Sequence, residues 1–372
     1  MPFVVAALLL TLLAACDSHK TEKIPGAAPV RLSSYMGSEP EAGFARALEP
    51  RLLVFPQDHG AHPEFATEWW YFTGNLYDDN RRRFGYQLTL FRVGLKPGLP
   101  PADSSWRANQ LYMGHFAISD LENHRHLSNE RFSRAAAGLA GAAGPPLRVW
   151  LGPWSIRAGE KGLFPLEIHA SGPEMALNLT LQAGTGKLVL QGDNGLSRKG
   201  SGPGAASYYY SHTRLPTRGE IRIGQQPFKV AGNSWFDHEW SSSALSEDQA
   251  GWDWFALQLD DGRDLMFYRM RDRQGQAQDY SNGTLVDPDG SVTLLSAQEV
   301  ELRPTRYWRS DRGINYPLAW HLLAPAYDLD LQIEAAFDTQ EMSLTVEYWE
   351  GAVDVSGNRQ GVGYLELSGY EP

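Results

Sequence analysis

Two aromatic segments of this chain, 182 residues apart, are near copies of one another. Each contains a run of β-forming residues, an Asp-Asp turn followed by Asn or Gly, and a second run of β-formers, an order typical of a β-hairpin. Solenoid repeats have periods of about 20–50 residues, so this spacing excludes them. The repeat predicts two similar β domains in tandem, each opening with an aromatic hairpin. A gap-free alignment superimposes Trp70 on Trp252, Phe72 on Trp254, Asp78-Asp79 on Asp260-Asp261, Asn80 on Gly262 and Tyr86 on Tyr268.

The rest of the chain also has the pattern of an all-β protein. A length of 372 residues favours two domains, because one hydrophobic core rarely organises a chain of this size. Short runs of β-formers separated by turn residues indicate antiparallel barrels or sandwiches. Loops are expected at residues 135–146 and 197–206, and one short helix at residues 41–48. Strands are predicted at residues 68–77, 83–93, 112–120, 147–156, 176–183, 186–191, 208–212, 220–223, 228–235, 252–259, 264–271, 327–337 and 342–349.

The N-terminal segment resembles a bacterial lipoprotein signal. Val4 to Ala15 is an uncharged apolar run of 12 residues, too short to span a bilayer, and it is followed by Cys16. Cys16 is the only cysteine of the chain, so we expect it to carry the lipid, and we expect no disulfide and no thiol catalysis in the mature domains. Asp17 resembles the signal that retains lipoproteins in the inner membrane. These features predict a lipoprotein on the periplasmic, extracytoplasmic face of a bacterial inner membrane.

Charge and composition limit the partners and divide the chain. The net charge of −11, without a Lys/Arg cluster, argues against nucleic acid, because binding there depends on neutralising phosphates. Residues 1–16 are predicted to be the signal and residues 17–57 a tether. The two domains are predicted at residues 58–240 and 241–372, although the segment 208–240 could close the first barrel or open the second.

Six stretches in order along the mature chain resemble the family that groups AttH proteins with the bacterial carotenoid 1,2-hydratases. The resemblance implies two tandem lipocalin-like antiparallel β-barrels, in agreement with the repeat, and it is nearest to the secreted or lipid-anchored branch. The stretches are His62-Pro63-Glu64, Glu68-Trp69-Trp70-Tyr71-Phe72-Thr73-Gly74-Asn75-Leu76, Tyr208-Tyr209-Tyr210-Ser211, Trp235-Phe236-Asp237-His238-Glu239-Trp240, Gly251-Trp252-Asp253-Trp254-Phe255 and Tyr348-Trp349-Glu350-Gly351.

The resemblance also implies a ligand class and a reaction. Lipocalin-like barrels hold one small apolar molecule, and the family suggests hydration of an isoprenoid C=C bond. That reaction needs a carboxylic acid that burial keeps protonated, a water molecule, and aromatic faces that stabilise a cation. No cofactor is expected.

The candidate site residues centre on the segment 237–240. In a strand, His238 and Trp240 lie on one face and Asp237 and Glu239 on the other. The resemblance favours His238 and Trp240 as pocket residues, with Asp237 as the partner of His238 or as the acid. The catalytic candidates are Asp237, His238 and Asp253, and the ligand-binding candidates are Trp240, Trp252, Trp254, Glu68, Trp70 and Tyr71, with Glu68 also a third candidate for the acid.

These residues also have structural interpretations. Paired tryptophans in a strand are more often barrel core than cation stabilisers. Asp237 and His238 could equally form a buried hydrogen bond that ties a strand to a loop.

Two further kinds of chemistry are not expected. The cluster of Asp58, His59, His62 and Glu64 looks like a set of metal ligands, but with no Cys and no helix to space the histidines we predict no metal site. The stretch 232–236 has Ser234 but lacks the second Gly of a nucleophile elbow, and an all-β chain lacks the strand-to-helix turn of that elbow, which argues against a Ser hydrolase.

The sequence therefore predicts a lipid-anchored lipocalin-like protein that binds a hydrophobic small molecule of the isoprenoid or lipid class. One alternative is an enzyme of the hydro-lyase or isomerase type that acts on such a molecule by acid catalysis. A second alternative is a non-catalytic accessory lipoprotein of an ABC-type membrane transporter.

Overall fold

The structure is a computed structural model that describes residues 30–31, 42–98, 108–184, 188–243 and 245–372. Cys16 and most of the predicted tether lie outside the described residues. Within the described ranges there are two sheets, antiparallel except for one short parallel pairing, and two short 3-10 turns, Gln57–His59 and Pro325–Tyr327. No helix in these ranges is long and apolar enough to cross a bilayer. The predicted all-β fold of two tandem lipocalin-like barrels is confirmed.

The first sheet forms the N-terminal barrel and contains strands β2 to β14. Its order is β5-β4-β3-β2-β14-β13-β10-β9-β8-β7-β6, with β11 and β12 both paired to β13. The strands are β2 (Thr67–Tyr77), β3 (Arg83–Gly94), β4 (Gln110–Asp120), β5 (Arg125–Arg134), β6 (Ala140–Ala143), β7 (Arg148–Leu151), β8 (Trp154–Arg157), β9 (Leu166–Ser171), β10 (Met175–Leu181), β11 (Leu188–Leu190), β12 (Leu196–Arg198), β13 (Ala206–Ile223) and β14 (Gln226–Ser241).

The second sheet forms the C-terminal barrel, in the order β18-β17-β16-β15-β24-β23-β21-β20-β19, with β22 also paired to β23. The short strand β1 (Val30–Arg31) pairs in parallel with β23. The other strands are β15 (Gln249–Leu259), β16 (Asp264–Asp272), β17 (Asn282–Val286), β18 (Val292–Ser296), β19 (Glu301–Arg309), β20 (Asn315–Ala324), β21 (Leu329–Ala335), β22 (Glu341–Ser343), β23 (Val346–Gly357) and β24 (Gly361–Leu367).

Burial patterns show where the two barrels meet. Nearly every residue of β2, β3 and β15 is buried or half-buried, because one face packs on the barrel's own core and the other faces the second barrel. Strands β19 and β21, on the far side of the C-terminal barrel, alternate between more buried and exposed residues instead. The strands of the contact between the barrels therefore carry apolar residues on both faces.

Hydrogen bonds join the two barrels at several points along this contact. Ser119 Oγ donates to Gln340 Oε1 at 2.8 Å, and Thr213 Oγ1 donates to Asp264 Oδ2 at 2.7 Å. An apolar cluster with members from both barrels lies between these points. It includes Tyr71, Tyr209 and Trp235 of the first barrel and Trp254, Met266, Tyr268, Met270 and Tyr364 of the second.

The two hairpins of the sequence repeat have equivalent loops, but their offset is 181 residues. Between the last paired residues, the loops are 78–82 in the first hairpin and 259–263 in the second. The fourth residue of each loop has a left-handed backbone, with φ of 65° at Arg81 and 90° at Gly262. The gap-free alignment at 182 residues is therefore wrong by one residue.

Because of this one-residue difference, aromatic residues that the alignment matches lie on opposite faces of their strands. Trp70 and Phe72 lie in the core of the first barrel, whereas Trp252 and Trp254 pack at the contact between the barrels. A shift of one residue moves every side chain of a strand to the other face. Because both faces of these strands are buried, the aromatic pattern did not reveal the shift.

Several predicted boundaries also differ from the structure. The predicted strand 147–156 is two strands, β7 and β8, separated by a turn at Gly152, where φ is 58°. The predicted strands 208–212 and 220–223 are parts of one long strand, β13, which belongs to the first sheet with β14. Strands β5, β9, β17, β18, β19, β20 and β24 were not predicted. Of these, β5 and β19 consist largely of polar and charged residues, which give no apolar pattern.

The predicted helix at residues 41–48 is absent from its described part, residues 42–48. Ala45 N–H donates to the carbonyl of Glu64 at 2.8 Å, and Ala47 is buried in the first core. These tertiary contacts hold the segment in a turn followed by irregular chain. The predicted loop 135–146 contains one short strand, β6.

Candidate functional site

Strand β14 divides the candidate residues between two separate environments. As predicted from strand alternation, His238 and Trp240 lie on one face and Asp237 and Glu239 on the other. His238 and Trp240 point into the first barrel, where both are fully buried. Asp237 and Glu239 line a cleft between the two barrels. Asp237 is therefore not the partner of His238, which was one of the two roles suggested for it, because adjacent residues of a strand cannot share a face.

Inside the first barrel, Glu68 is the centre of a buried hydrogen-bond network. His62 Nδ1 donates to Glu68 Oε1 at 2.8 Å, and His238 Nε2 donates to the same oxygen at 2.9 Å. Arg92 Nε donates to Oε2 at 2.7 Å. The second ring nitrogen of His62 lies 3.0 Å from Asp58 Oδ1. The network thus joins two carboxylates, two imidazoles and one guanidinium.

The charges in this network compensate one another. Burial alone would raise the pKa of Glu68, but the charges of Arg92 and His62 hold it well below its ordinary value. Burial would lower the pKa of His62, but the charge of Glu68 and the hydrogen bond with Asp58 raise it. For His238, burial prevails and lowers the pKa to about 4. Near neutral pH, Glu68 is ionised and His238 is neutral.

Ring stacking encloses the network. The Trp240 ring stacks on His62 with the centroids 3.8 Å apart, and the Trp70 ring stacks on His238 at 4.9 Å. Trp70 Nε1 donates to the carbonyl of His59 at 3.3 Å. Trp240 and Trp70, predicted as ligand-binding residues, lie with Glu68 and His238 in this core and not in the cleft.

The ligand atoms of His62, Glu68 and His238 lie within 4.8 Å of one another, a spacing that a metal ion could use. Two histidines with one glutamate form a common zinc set. However, the two imidazoles, the Arg92 guanidinium and the backbone N–H of His62 already supply four donors to the Glu68 carboxylate. A carboxylate has about four lone-pair positions, so the arrangement favours a hydrogen-bonded network over a bound cation. Of the cluster considered from the sequence, Asp58 and His62 form hydrogen bonds directly within this network.

The cleft between the barrels has a volume of about 130 Å³, and its lining is mostly apolar and rich in aromatic residues. Three of the predicted ligand-binding residues line it, namely Tyr71, Trp252 and Trp254. Its other lining residues include Trp69, Phe91, Tyr209, Tyr268 and Met270, together with the charged residues Lys199, Asp237, Glu239 and Glu366. The cleft has the composition of small-molecule sites, which are apolar with a few convergent polar groups.

Asp237 is held in the cleft wall by three hydrogen-bond donors. Ser211 Oγ at 2.5 Å and Trp235 Nε1 at 2.7 Å donate to Oδ1, and Tyr209 Oη at 2.7 Å donates to Oδ2. Burial raises the pKa of Asp237 to about 7, although these donors act in the opposite direction. The group can therefore gain or lose a proton near neutral pH.

Glu366 is the second carboxyl of the cleft with this property. Trp252 Nε1 donates to its Oε1 at 2.6 Å. Burial, with the charges of Glu239 and Asp237, raises the pKa of Glu366 to about 7. The third carboxylate, Glu239, is 3.4 Å from Lys199 Nζ, so it is paired with a cation.

Asp253, a predicted catalytic residue, does not line the cleft. It faces the interior of the second barrel, where Arg271 Nε donates to Oδ1 and Arg269 Nη1 donates to Oδ2, both at 3.0 Å. Tyr370 Oη donates to Oδ1 at 2.8 Å. Asp253 is fully buried, and these contacts assign it to the scaffold of the second barrel.

Sequence reasoning missed Arg92, Glu366 and Lys199. Arg92 and Glu366 are single charged residues within apolar strands, in the segments Leu88–Val93 and Tyr364–Leu367. A charge in such a position is rarely buried unless it is paired, and this signal could have identified both. Lys199 lies in a Gly- and Ser-rich stretch, where no local pattern distinguishes it.

Comparison with solved structures finds several proteins with the same architecture. A protein of Nitrosomonas europaea assigned to AttH is 33% identical with a TM-score of 0.79, over 88% of this chain and 100% of that one. Kievitone hydratase from Nectria haematococca is 16% identical with a TM-score of 0.63, over 90% and 98%. CghA, solved with Sch210972, is 13% identical with a TM-score of 0.54, over 89% and 98%. At identities this low, the last two show the fold alone.

Sequence comparison gives the relationship more directly. No curated protein matches this chain. The model of the family described as AttH-like matches residues 46–370, which is most of the chain. Together with the 33% identity to the Nitrosomonas protein, this match shows that the chain belongs to the AttH-like family.

Proposed function

We propose that the cleft between the barrels binds an apolar small molecule of the isoprenoid or lipid class, and that the protein is a hydro-lyase or isomerase. The observation that supports this proposal is the pair of Asp237 and Glu366, two buried carboxyls with pKa values of about 7 on one aromatic cleft. Near neutral pH such a pair supplies both a proton donor and a proton acceptor.

The hydrogen bonds indicate which carboxyl takes which role. Asp237 accepts three hydrogen bonds, and donors of this kind favour the ionised form. Glu366 accepts one, from Trp252. We therefore assign Glu366 as the acid and Asp237 as the base, and this assignment replaces the acid role expected for Asp237 from the sequence.

The reaction that fits this pair is acid-catalysed addition of water to an alkene. Glu366 donates its proton to one carbon of the double bond, and the other carbon becomes cationic. The aromatic faces of Tyr71 and Trp254 stabilise such a cation. Water adds to the cation and transfers one proton to Asp237, so that the net change is the addition of one water molecule. Transfer of a proton from a neighbouring carbon to Asp237 instead gives an isomerised alkene.

The size of the cleft limits how much of the ligand it can enclose. Its volume of about 130 Å³ is close to that of engineered protein cavities that bind benzene, about 150 Å³. We propose that one prenyl-sized part of a longer apolar molecule occupies it. Kievitone hydratase shares this fold at 16% identity, and its name is consistent with water addition on such a scaffold.

The test is incubation of the purified protein with isoprenoid alkenes in oxygen-labelled water, followed by mass spectrometry. Wild-type protein is expected to form a labelled alcohol or an isomer. Glu366→Gln and Asp237→Asn keep the shapes of the side chains and are expected to bind the alkene without turnover. Asp354→Asn, which alters an exposed carboxyl at the contact between the barrels, is the matched control and is expected to retain turnover.

The results separate binding from catalysis. Wild-type protein that binds the alkenes and returns them unchanged would show that the cleft is a binding site without chemistry. Turnover that survives in both cleft variants would refute the assigned roles of the two carboxyls.

We also propose that the lipid on Cys16 places the barrels at a membrane surface. The support is the apolar run that ends at the only cysteine of the chain. A membrane-anchored barrel can take an apolar ligand directly from the lipid phase, where such molecules are concentrated.

A further inference from the structure

A second cavity, of about 240 Å³, opens at the first barrel and shares no lining residue with the cleft. Its walls are mostly apolar and include Pro145, Leu147 and Leu163. Glu160 and Lys161 also line it, and His59 is the only imidazole among the described residues of its lining. The proposed reaction does not use this cavity.

A chain of hydrogen bonds connects His59 to the Glu68 network. His59 Nδ1 is 2.7 Å from Tyr210 Oη. Tyr210 Oη is 3.2 Å from His238 Nδ1, and His238 Nε2 is 2.9 Å from Glu68 Oε1. All four side chains are buried, and His59 alone of them lines the cavity.

The protons along these hydrogen bonds can be assigned one after another, starting from Glu68. Glu68 is ionised beside Arg92 and only accepts, so His238 carries its proton on Nε2. Neutral His238 then has a lone pair on Nδ1, which accepts from the Tyr210 hydroxyl. The Tyr210 oxygen can in turn accept, so His59 donates from Nδ1. Nε2 of His59 is left without a proton and can only accept.

The remaining nitrogen of His59 is free to meet a ligand. Its Nε2 makes no hydrogen bond to any residue within the described ranges. It also differs from the Nε2 atoms of His115, His126 and His212, which are sealed from solvent without a partner. Burial lowers the pKa of His59 to about 3, so the ring stays neutral. A neutral acceptor at an apolar cavity favours an uncharged donor group.

We propose that this cavity is a second ligand site, independent of the cleft, that binds a small apolar molecule through one hydroxyl group donated to His59 Nε2. A carboxylate ligand lacks the proton that this nitrogen needs. An apolar molecule without a donor leaves the nitrogen unpaired, which costs binding free energy.

The first test is the protonation state of His59 in the protein without ligand. Nitrogen-15 NMR of histidine-labelled protein distinguishes the two neutral forms of an imidazole. We expect the proton on Nδ1 in His59 and on Nε2 in His238, opposite forms in the two rings. A proton on Nε2 of His59 would overturn the proposal, because that nitrogen could not then accept from a hydroxyl.

The second test uses 2-naphthol and 2-methoxynaphthalene, which have the same ring system with and without a hydroxyl. One neutral hydrogen bond corresponds to a preference of roughly three- to tenfold for 2-naphthol in fluorescence titration. His59→Phe is expected to abolish the preference. Trp254→Ala, in the wall of the cleft, is expected to retain it. The proposal would be contradicted if the wild-type protein bound the two probes with equal affinity. It would also be contradicted if the preference were lost in Trp254→Ala and kept in His59→Phe.

Discussion

Each barrel buries one carboxylate opposite an arginine on its aromatic hairpin, but the surroundings of the two carboxylates differ. Glu68 faces Arg92 across β2 and β3, and Asp253 faces Arg269 across β15 and β16. Both carboxylates are fully buried inside their barrels. A buried carboxylate of this kind needs such a partner, because an unpaired charge is very costly away from water.

The neighbours of the two pairs come from different parts of the chain. Around Glu68 they are imidazoles, His62 from the loop before β2 and His238 from β14, and His238 leads through Tyr210 to the cavity at His59. Around Asp253 they are a second arginine and a tyrosine. The hairpins thus provide a similar ion pair in both barrels. Segments outside the hairpins connect only the ion pair of the first barrel to the proposed ligand site at His59.

The largest expected effect is loss of the guanidinium beside Glu68. Arg92→Met leaves a buried carboxylate without its cation and should reduce the free energy of unfolding by about 3–5 kcal/mol. Arg269→Met is the matched change in the second barrel and should cost less, because Asp253 keeps Arg271 and Tyr370. Urea unfolding of both variants measures the difference. Equal losses would show that the two ion pairs have the same structural role.

The second prediction tests the shift of one residue between the hairpins. Trp70 and Trp252 coincide in the sequence repeat, yet Trp70 is fully buried in the first core and Trp252 is a half-buried wall of the cleft. Trp70→Ala should cost about 3–5 kcal/mol of stability. Trp252→Ala should cost less and should weaken binding of an apolar fluorescent probe. Thermal unfolding and probe titration of both variants check this. Equal losses of stability and of probe affinity in the two variants would support the gap-free alignment.

The third prediction concerns pH and the cleft. The pKa of Asp237 is raised from 3.8 to about 7 on folding, so the folded state binds more protons between these values. Its contribution to stability therefore declines as the pH rises from about 4 to about 7. Buried histidines with lowered pKa values act in the opposite direction, so the measured quantity is the difference between Asp237→Asn and wild type. As the pH rises across this range, the stability of the variant minus that of wild type should increase. A difference that stays constant with pH would contradict the raised pKa of Asp237.

The smallest expected effect on stability is that of Cys16→Ser. No disulfide can depend on the only cysteine of the chain, so the melting temperature should not change. The protein should nevertheless move from the membrane fraction to the soluble fraction. Wild-type and variant proteins are compared by fractionation after a high-salt wash. Variant protein that still sediments with membranes would rule out the lipid anchor.

Much of the fold was predictable because strand and turn signals are local. The strands of the first hairpin were predicted to within one residue at each end, since β-formers and Asp-rich turns act over a few positions. Strands β5 and β19 were not, because polar side chains on a solvent-facing sheet provide no apolar alternation. The residues 42–48 were misread as a helix, because a tertiary hydrogen bond from Ala45 to Glu64 takes the place of helical bonds.

The candidate site was predictable only as a set of residues. Alternation along β14 correctly separated His238 and Trp240 from Asp237 and Glu239. It did not show which face meets the cleft, since both faces are buried. The partners come from distant positions, such as Glu366, whose cross-strand neighbours lie on β15 and β23.

The sequence alone determined that this protein is all-β, that it has two related barrels and that it belongs with AttH-like proteins, because these properties depend on local patterns and on motifs in order along the chain. Only the tertiary structure decided that Glu68 and His238 form a closed network and that Asp237 and Glu366 both line one cleft. It also decided that Asp253 lies outside that cleft. The physical reason is that pKa values and hydrogen-bond partners depend on burial and on contacts across the barrels, which no local stretch of sequence contains.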